Sequence, residues 1–162
     1  MMLTTAFHYA GPASVRYPRG TGPDVKVKKN LDKIEIGKSR TIMEGSSSIV
    51  FLNFGSLLFE AIKVCEKLDL TLIDMRFVKP LDKDILMKFL PNATMFVSLE
   101  DGSIAGGAGS CVQEFCSEAN ILIKSKLFGI PDKFIDHASR DEMIEEVGLT
   151  AKQIEKTLSK LL

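Results

Sequence analysis

The sequence carries no excess of charge. Its 21 basic residues balance 21 acidic ones, so the formal net charge is zero. No overall field draws such a chain to nucleic acid or to an anionic membrane, and neither is expected as a partner. Cysteine is scarce. Cys65, Cys111 and Cys116 are odd in number and lack metal-ligand spacing. Cys65 and Cys111 fall on the apolar stripes of expected helices, so the thiols read as buried and free in a reducing cytoplasm, the location the sequence leads us to expect. Histidine is scarcer still. His8 and His137 show no metal-ligand spacing and offer no obvious partner to a catalytic thiol. No stretch resembles a signal peptide or a membrane span. No nucleophile, base and orienting group can be assembled, and no carboxylate set has metal-site spacing. A complete active site is missing, which favours a partial contribution to a shared one.

What is present suits one soluble domain with a sizeable core: 162 residues, 45% of them apolar and 26% charged. The opening is unusual. Residues 1–20 read as the last piece of a preceding domain, broken by Gly11-Pro12, with a short extended run before Pro18. Residues 21–32 are polar and aperiodic, a linker, and the lysines between Lys26 and Lys29 read as a solvated loop within it. Residues 33–162 then form an α/β domain. Lys33 to Glu44 is expected as a small pair of strands turning at Gly37 and Lys38. Strands follow over Ile49–Leu52, Leu70–Met75, Thr94–Leu99 and Ile121–Leu127. Between them lie a helix with Leu58, Ala61, Ile62, Cys65 and Leu68 on one face, a second capped by Asp82 and covering Ile85–Phe89, and a third over Gly106–Cys116. Ser139 with Glu142, and Thr150 with Gln153, have capping-box spacing for two final helices, the last presenting Ala151, Ile154, Leu158 and Leu161. Alternating strands and helices predict a three-layer α/β/α sandwich with a mostly parallel or mixed sheet.

Ligands approach such sheets at the carboxyl ends of the strands, where Asn53, Asp74 to Arg76, and Glu100-Asp101 all fall. Arg76 could hold a phosphate or carboxylate through two parallel bonds, or pair structurally with Asp74 or Glu100. Arg16 and Arg19 flank a rigid Tyr17-Pro18 pair, so one could reach an anion while the other pairs across a domain junction. His8, between Phe7 and Tyr9, could donate to a substrate or simply pack. His137 reads as a surface residue. The small residues from Gly102 to Ser110 permit close helix packing or exposed amides for an anion. They match neither the dinucleotide fingerprint nor the phosphate loop. Glu100 and Asp101 could do acid-base work, but fixing the turn or making a domain contact suits them better.

These motifs together resemble a known family. Phe7-His8-Tyr9, Gly11-Pro12, Arg16-Tyr17-Pro18-Arg19-Gly20, Asn53-Phe54-Gly55, the block from Asp74 to Asp82, Gly106-Gly107-Ala108-Gly109-Ser110, Ile130-Pro131-Asp132 and Gly148-Leu149 are similar to the C-terminal portion of the 1-deoxy-D-xylulose-5-phosphate synthase family of transketolase-like enzymes. That resemblance implies a three-domain homodimer whose first two domains bind thiamine diphosphate and Mg2+, with residues 1–20 the tail of the middle domain. It implies condensation of pyruvate with glyceraldehyde 3-phosphate and release of carbon dioxide. It places His8 and Arg76 at the substrate, and Arg16 and Arg19 at the domain junction or substrate edge. The cofactor-binding and metal-binding motifs would lie upstream of Met1. This chain alone is therefore expected to bind neither group tightly and to turn nothing over. Where the family often has Glu-Glu-Asn, this chain has Glu100-Asp101-Gly102. Two other readings compete: the last domain of a different transketolase-like enzyme, and a non-enzymatic module binding a ligand or subunit.

Overall fold

Every residue from Ile49 to Phe54 is buried. A run of this kind is stable only as a strand covered on both faces, and in the computed structural model it lies at the centre of a sheet. The structure describes residues 1–15, 17 and 32–161. The strands are β1 (Arg40–Met43), β2 (Ile49–Phe54), β3 (Thr71–Asp74), β4 (Met95–Ser103) and β5 (Lys124–Ile130). Their order is β1-β3-β2-β4-β5. All pairs are parallel except β1, which runs antiparallel to β3. The helices are α1 (Met2–Phe7), α2 (Leu58–Leu68), α3 (Lys83–Phe89), α4 (Ala108–Glu118), α5 (Arg140–Glu146) and α6 (Ala151–Leu158).

Strand alternation divides the core in two. On one face Ile49, Phe51, Leu72, Val97 and Leu99 pack against Ala61, Val64 and Cys65 of α2 and Ile154 and Leu158 of α6. On the other, Val50, Leu52, Ile73 and Phe96 pack against Leu86 of α3 and Val112 and Phe115 of α4. The expected three-layer α/β/α sandwich with a mixed sheet is thus the fold. Both capping boxes form: the Ser139 N–H donates to Glu142 Oε2 at 2.9 Å, and the Thr150 N–H to Gln153 Oε1 at 3.3 Å. Among the described residues no helix is long and apolar enough to cross a membrane.

The structure departs from expectation in four places. Lys33 to Glu44 holds one strand instead of two. Two of the amides before β1 are tied outside any ladder, the Ile34 N–H to Thr5 Oγ1 at 2.8 Å and the Ser39 N–H to Asp82 Oδ2 at 2.8 Å. The last strand begins at Lys124, not Ile121. The Ile121 N–H closes the end of α4 on the Cys116 carbonyl at 2.8 Å, and Leu122 is fully exposed. On α4 the buried face runs through Ala108, Val112, Phe115 and Cys116, so Cys116 is buried and Cys111 only partly. Burial pushes the Cys65 thiol up to about 12 and raises Cys116 as well, which leaves both inert. Finally, Leu161 lies beyond α6 and is half exposed.

Two local devices hold the layers in register. A Cβ at Gly109 would overlap Ser98 Oγ and come within 2.9 Å of Leu127 Cδ2, so its absence lets α4 sit close on the sheet. Asp82 caps α3 by accepting from the Ile85 N–H at 3.4 Å and anchors the approach to β1 by accepting from both the N–H and Oγ of Ser39 at 2.8 Å. Burial alone would raise the Asp82 pKa. The bonds from Ser39 and Ile85 and the Lys38 charge outweigh it and hold the carboxyl below its ordinary value.

Gly109→Val is expected to destabilise the fold by about 1–3 kcal/mol through overpacking, measured as a lower urea midpoint with unchanged slope. A depressed carboxyl pKa contributes stability that is present above the unfolded value of about 3.9 and lost as pH falls through the folded value. Asp82→Asn should therefore lower stability at pH 6, and the gap to the parent should narrow by pH 3.

Candidate functional site

The polar groups of the sheet collect beyond the carboxyl ends of its strands. β3 ends at Asp74, and the Met75 N–H then bonds the Asn53 carbonyl at 2.9 Å. The chain reverses at Arg76, whose φ is +60°. The Phe77 N–H closes that three-residue turn on the Met75 carbonyl at 2.6 Å. A positive φ at the centre of such a turn is the rare, strained form, and a non-glycine residue there costs roughly 1–3 kcal/mol. The Arg76 side chain is 18% exposed. Its Nε forms an ion pair with Asp74 Oδ2 at 3.7 Å, the structural pairing considered from sequence, but the distance is beyond hydrogen-bond range, and among the described residues Arg76 makes no hydrogen bond. Asp74 is itself buried and accepts from Arg40 Nε at 3.0 Å.

Glu100, the other partner weighed for Arg76, is committed elsewhere. Its buried carboxylate accepts from the Ala108 N–H at 2.8 Å and the Gly109 N–H at 3.0 Å. A Cβ at Gly107 would strike both Ser103 O and this carboxylate. The glycine-rich turn therefore seats the protein's own anion on the first amides of α4, where the helix dipole favours negative charge.

Asp101 faces a different neighbourhood. It accepts from Ser56 Oγ at 2.6 Å, and Arg140 Nη2 donates to the same oxygen at 3.0 Å. Gly55 turns β2 into α2 with φ +93°, and a Cβ there would lie 3.0 Å from Asp101 Oδ1. These residues form the polar end of a cavity of about 600 Å³ whose remaining wall is mostly apolar, including Ile130, Met143 and Val147. Tyr17 lies at its margin. Asn53 is fully buried, donates to the Gly55 carbonyl at 3.2 Å, and leaves its Oδ1 without a partner among the described residues.

The structure thus gathers Asp74, Arg76, Asn53, Glu100 and Asp101 along one edge. His8 is exposed at the end of α1, its ring edge-on to Phe7 at 5.3 Å. Among the described residues no hydrogen bond or ion pair links it to that edge. His137 is exposed. Arg16, Arg19, the lysines from Lys26 to Lys29 and nearly all of the linker lie outside the described residues. Arg40, Ser56 and Arg140 were not apparent as site neighbours from sequence. Their partners are 34, 45 and 84 residues away, and only the helix-start position of Arg140 after Ser139 hints at placement. No group of three metal-ligating side chains comes together among the described residues.

Comparison with known proteins gives one consistent likeness. The transketolase C-terminal domain family matches residues 37–154. A 1-deoxy-D-xylulose-5-phosphate synthase from Marinomonas sp. (strain MWYL1) is 45% identical over 157 residues, covering 97% of this chain and 25% of that relative. Another, from Pseudomonas savastanoi pv. phaseolicola, is 44% identical over 161 residues, with 99% and 25% covered. The chain spans about a quarter of the length of these relatives. A split-gene transketolase solved as an inactive β4 tetramer superposes with a TM-score of 0.71 at 25% identity, covering 88% of this chain and 46% of that one. A transketolase from Campylobacter jejuni shares the fold, with a TM-score of 0.57 at 12% identity over 76% of this chain and 18% of that one.

Glu100→Ala should leave two buried amides without an acceptor and cost about 2–4 kcal/mol. Chemical denaturation measures this, and hydrogen exchange should rise first at Ala108 and Gly109.

Proposed function

Because this chain belongs to the transketolase C-terminal domain family, we propose that it serves as the terminal α/β domain of a thiamine-diphosphate-dependent 1-deoxy-D-xylulose-5-phosphate synthase. In this reading Arg76 holds the phosphate of glyceraldehyde 3-phosphate while the rest of the enzyme joins it to the two-carbon unit left by pyruvate. One observation carries the assignment of Arg76. A mostly buried arginine side chain, on a strained turn at the carboxyl edge of the sheet, makes no hydrogen bond among the described residues. Such a cation has donors to spare, and a phosphate can accept two of them side by side.

The residues here supply binding and orientation. When bound, the cofactor supplies the carbanion chemistry. Thiamine diphosphate and Mg2+ find no fitting seat among the described residues: they gather no metal cluster, and the glycine-rich start of α4 is filled by Glu100. We place both in the remaining three quarters of the enzyme, with a second copy completing a homodimer. His8, and Arg16 or Arg19, would meet the substrate or the domain junction once those parts are in place.

In the synthase containing this domain, Arg76→Ala should raise the KM for glyceraldehyde 3-phosphate by about 10- to 100-fold, as expected for losing a charge-assisted pair of bonds. The KM for pyruvate should hold. Equal changes for both substrates, or none, would remove Arg76 from the phosphate. The 162-residue chain alone should release no carbon dioxide from pyruvate with cofactor and Mg2+ added.

A further inference from the structure

Asp74 sits between two arginines that compete for one oxygen. Its carboxylate is buried, and a buried carboxylate needs partners. Arg40 Nε reaches Oδ2 at 3.0 Å, while Arg76 Nε stops at 3.7 Å from the same atom. Arg40 comes from the antiparallel strand β1, where it stands directly opposite Asp74 in the ladder. That register presents Arg40 to the carboxylate. Its side chain is 48% exposed and that of Arg76 is 18% exposed. The more solvated cation therefore takes the hydrogen bond, and among the described residues the more buried one makes none.

We propose that Arg40 is a positioning residue: by satisfying Asp74 it leaves the Arg76 guanidinium unbonded to that carboxylate and available to an anion. This rests on the reading of Arg76 as the anion-binding group. Without Arg40, the nearest cation to a buried carboxylate is Arg76. Its guanidinium would close from 3.7 Å to bonding distance. The charge of this cluster points the same way. Arg40, Arg76 and Asp74 together carry +1, whereas Arg76 and Asp74 alone carry zero. A neutral pair attracts a phosphate far less than a cation does.

A purely structural Arg40–Asp74 pair predicts something different. Its loss would loosen β1 and leave the Arg76 guanidinium as it was. The two accounts separate in the arginine Nε–H signals of the 15N-labelled chain. In the parent, the Arg40 Nε–H should exchange slowly with water and the Arg76 Nε–H fast. In Arg40→Met the Arg76 Nε–H should become slow and shift downfield. Adding Asp74→Asn to Arg40→Met should make it fast again, because no carboxylate then draws it. Affinity for inorganic phosphate, titrated on the same samples, should fall about fivefold in Arg40→Met and recover in the double variant. Arg40→Gln gives the same reading should the Met variant not fold. An Arg76 Nε–H signal unchanged by loss of Arg40, or one not restored by removing the Asp74 charge, overturns the proposal. Phosphate binding that survives Arg76→Ala instead overturns the reading of Arg76, and the exchange measurement still reports on Arg40.

Discussion

A sheet covered on both faces leaves charge only one exit, past the ends of its strands. In β2, β3 and the buried part of β4 no charged residue precedes the last position, and those last positions are Phe54, Asp74 and Glu100. Burying an unpaired charge midway along any of them would cost several kcal/mol. Confining charge to the carboxyl edge of these strands is therefore a condition of having this core at all. The polar edge of the domain follows from that condition, and the turns at Gly55, Arg76 and Gly106 lie along it.

Two carboxylates at that edge meet the cost of burial by different means, with different consequences. Glu100 takes backbone amides, which are rigid and cannot be exchanged for another partner without unwinding α4. It fixes the fold. Asp74 takes a guanidinium from a neighbouring strand, a side chain free to change partners. It leaves the local charge open to adjustment. The helix start favoured by its dipole is therefore closed to ligands, while the tight turn after β3 has a cation to offer.

Local rules made much of this visible in the amino-acid order. The apolar run at Ile49–Leu52, the Asp82 cap and both capping boxes depend on residues within a few positions of one another, and each forms. The motif block from Asp74 to Asp82 carried the family resemblance, and the match over residues 37–154 agrees with it. Ile121 and Ile123 misled because two apolar residues with a gap between them imitate a strand, while here both pack beneath α4 and the ladder starts later. Cys111 misled because one residue, about 100° of helical rotation, separates a flank from the buried face at Val112. Arg40, Ser56 and Arg140 stayed hidden for another reason. Their partners are brought together only by the strand order β1-β3-β2-β4-β5, and neither spacing nor periodicity encodes that.

The left-handed backbone at Arg76 also bears on descent. At such a position glycine and asparagine are the comfortable residues, so drift constrained by folding alone runs towards them and away from arginine. A lineage that keeps arginine there does so against the backbone's preference. On the proposed reading of Arg76, the residue at position 76 in related domains would distinguish those selected to hold an anion from those that have kept only the scaffold.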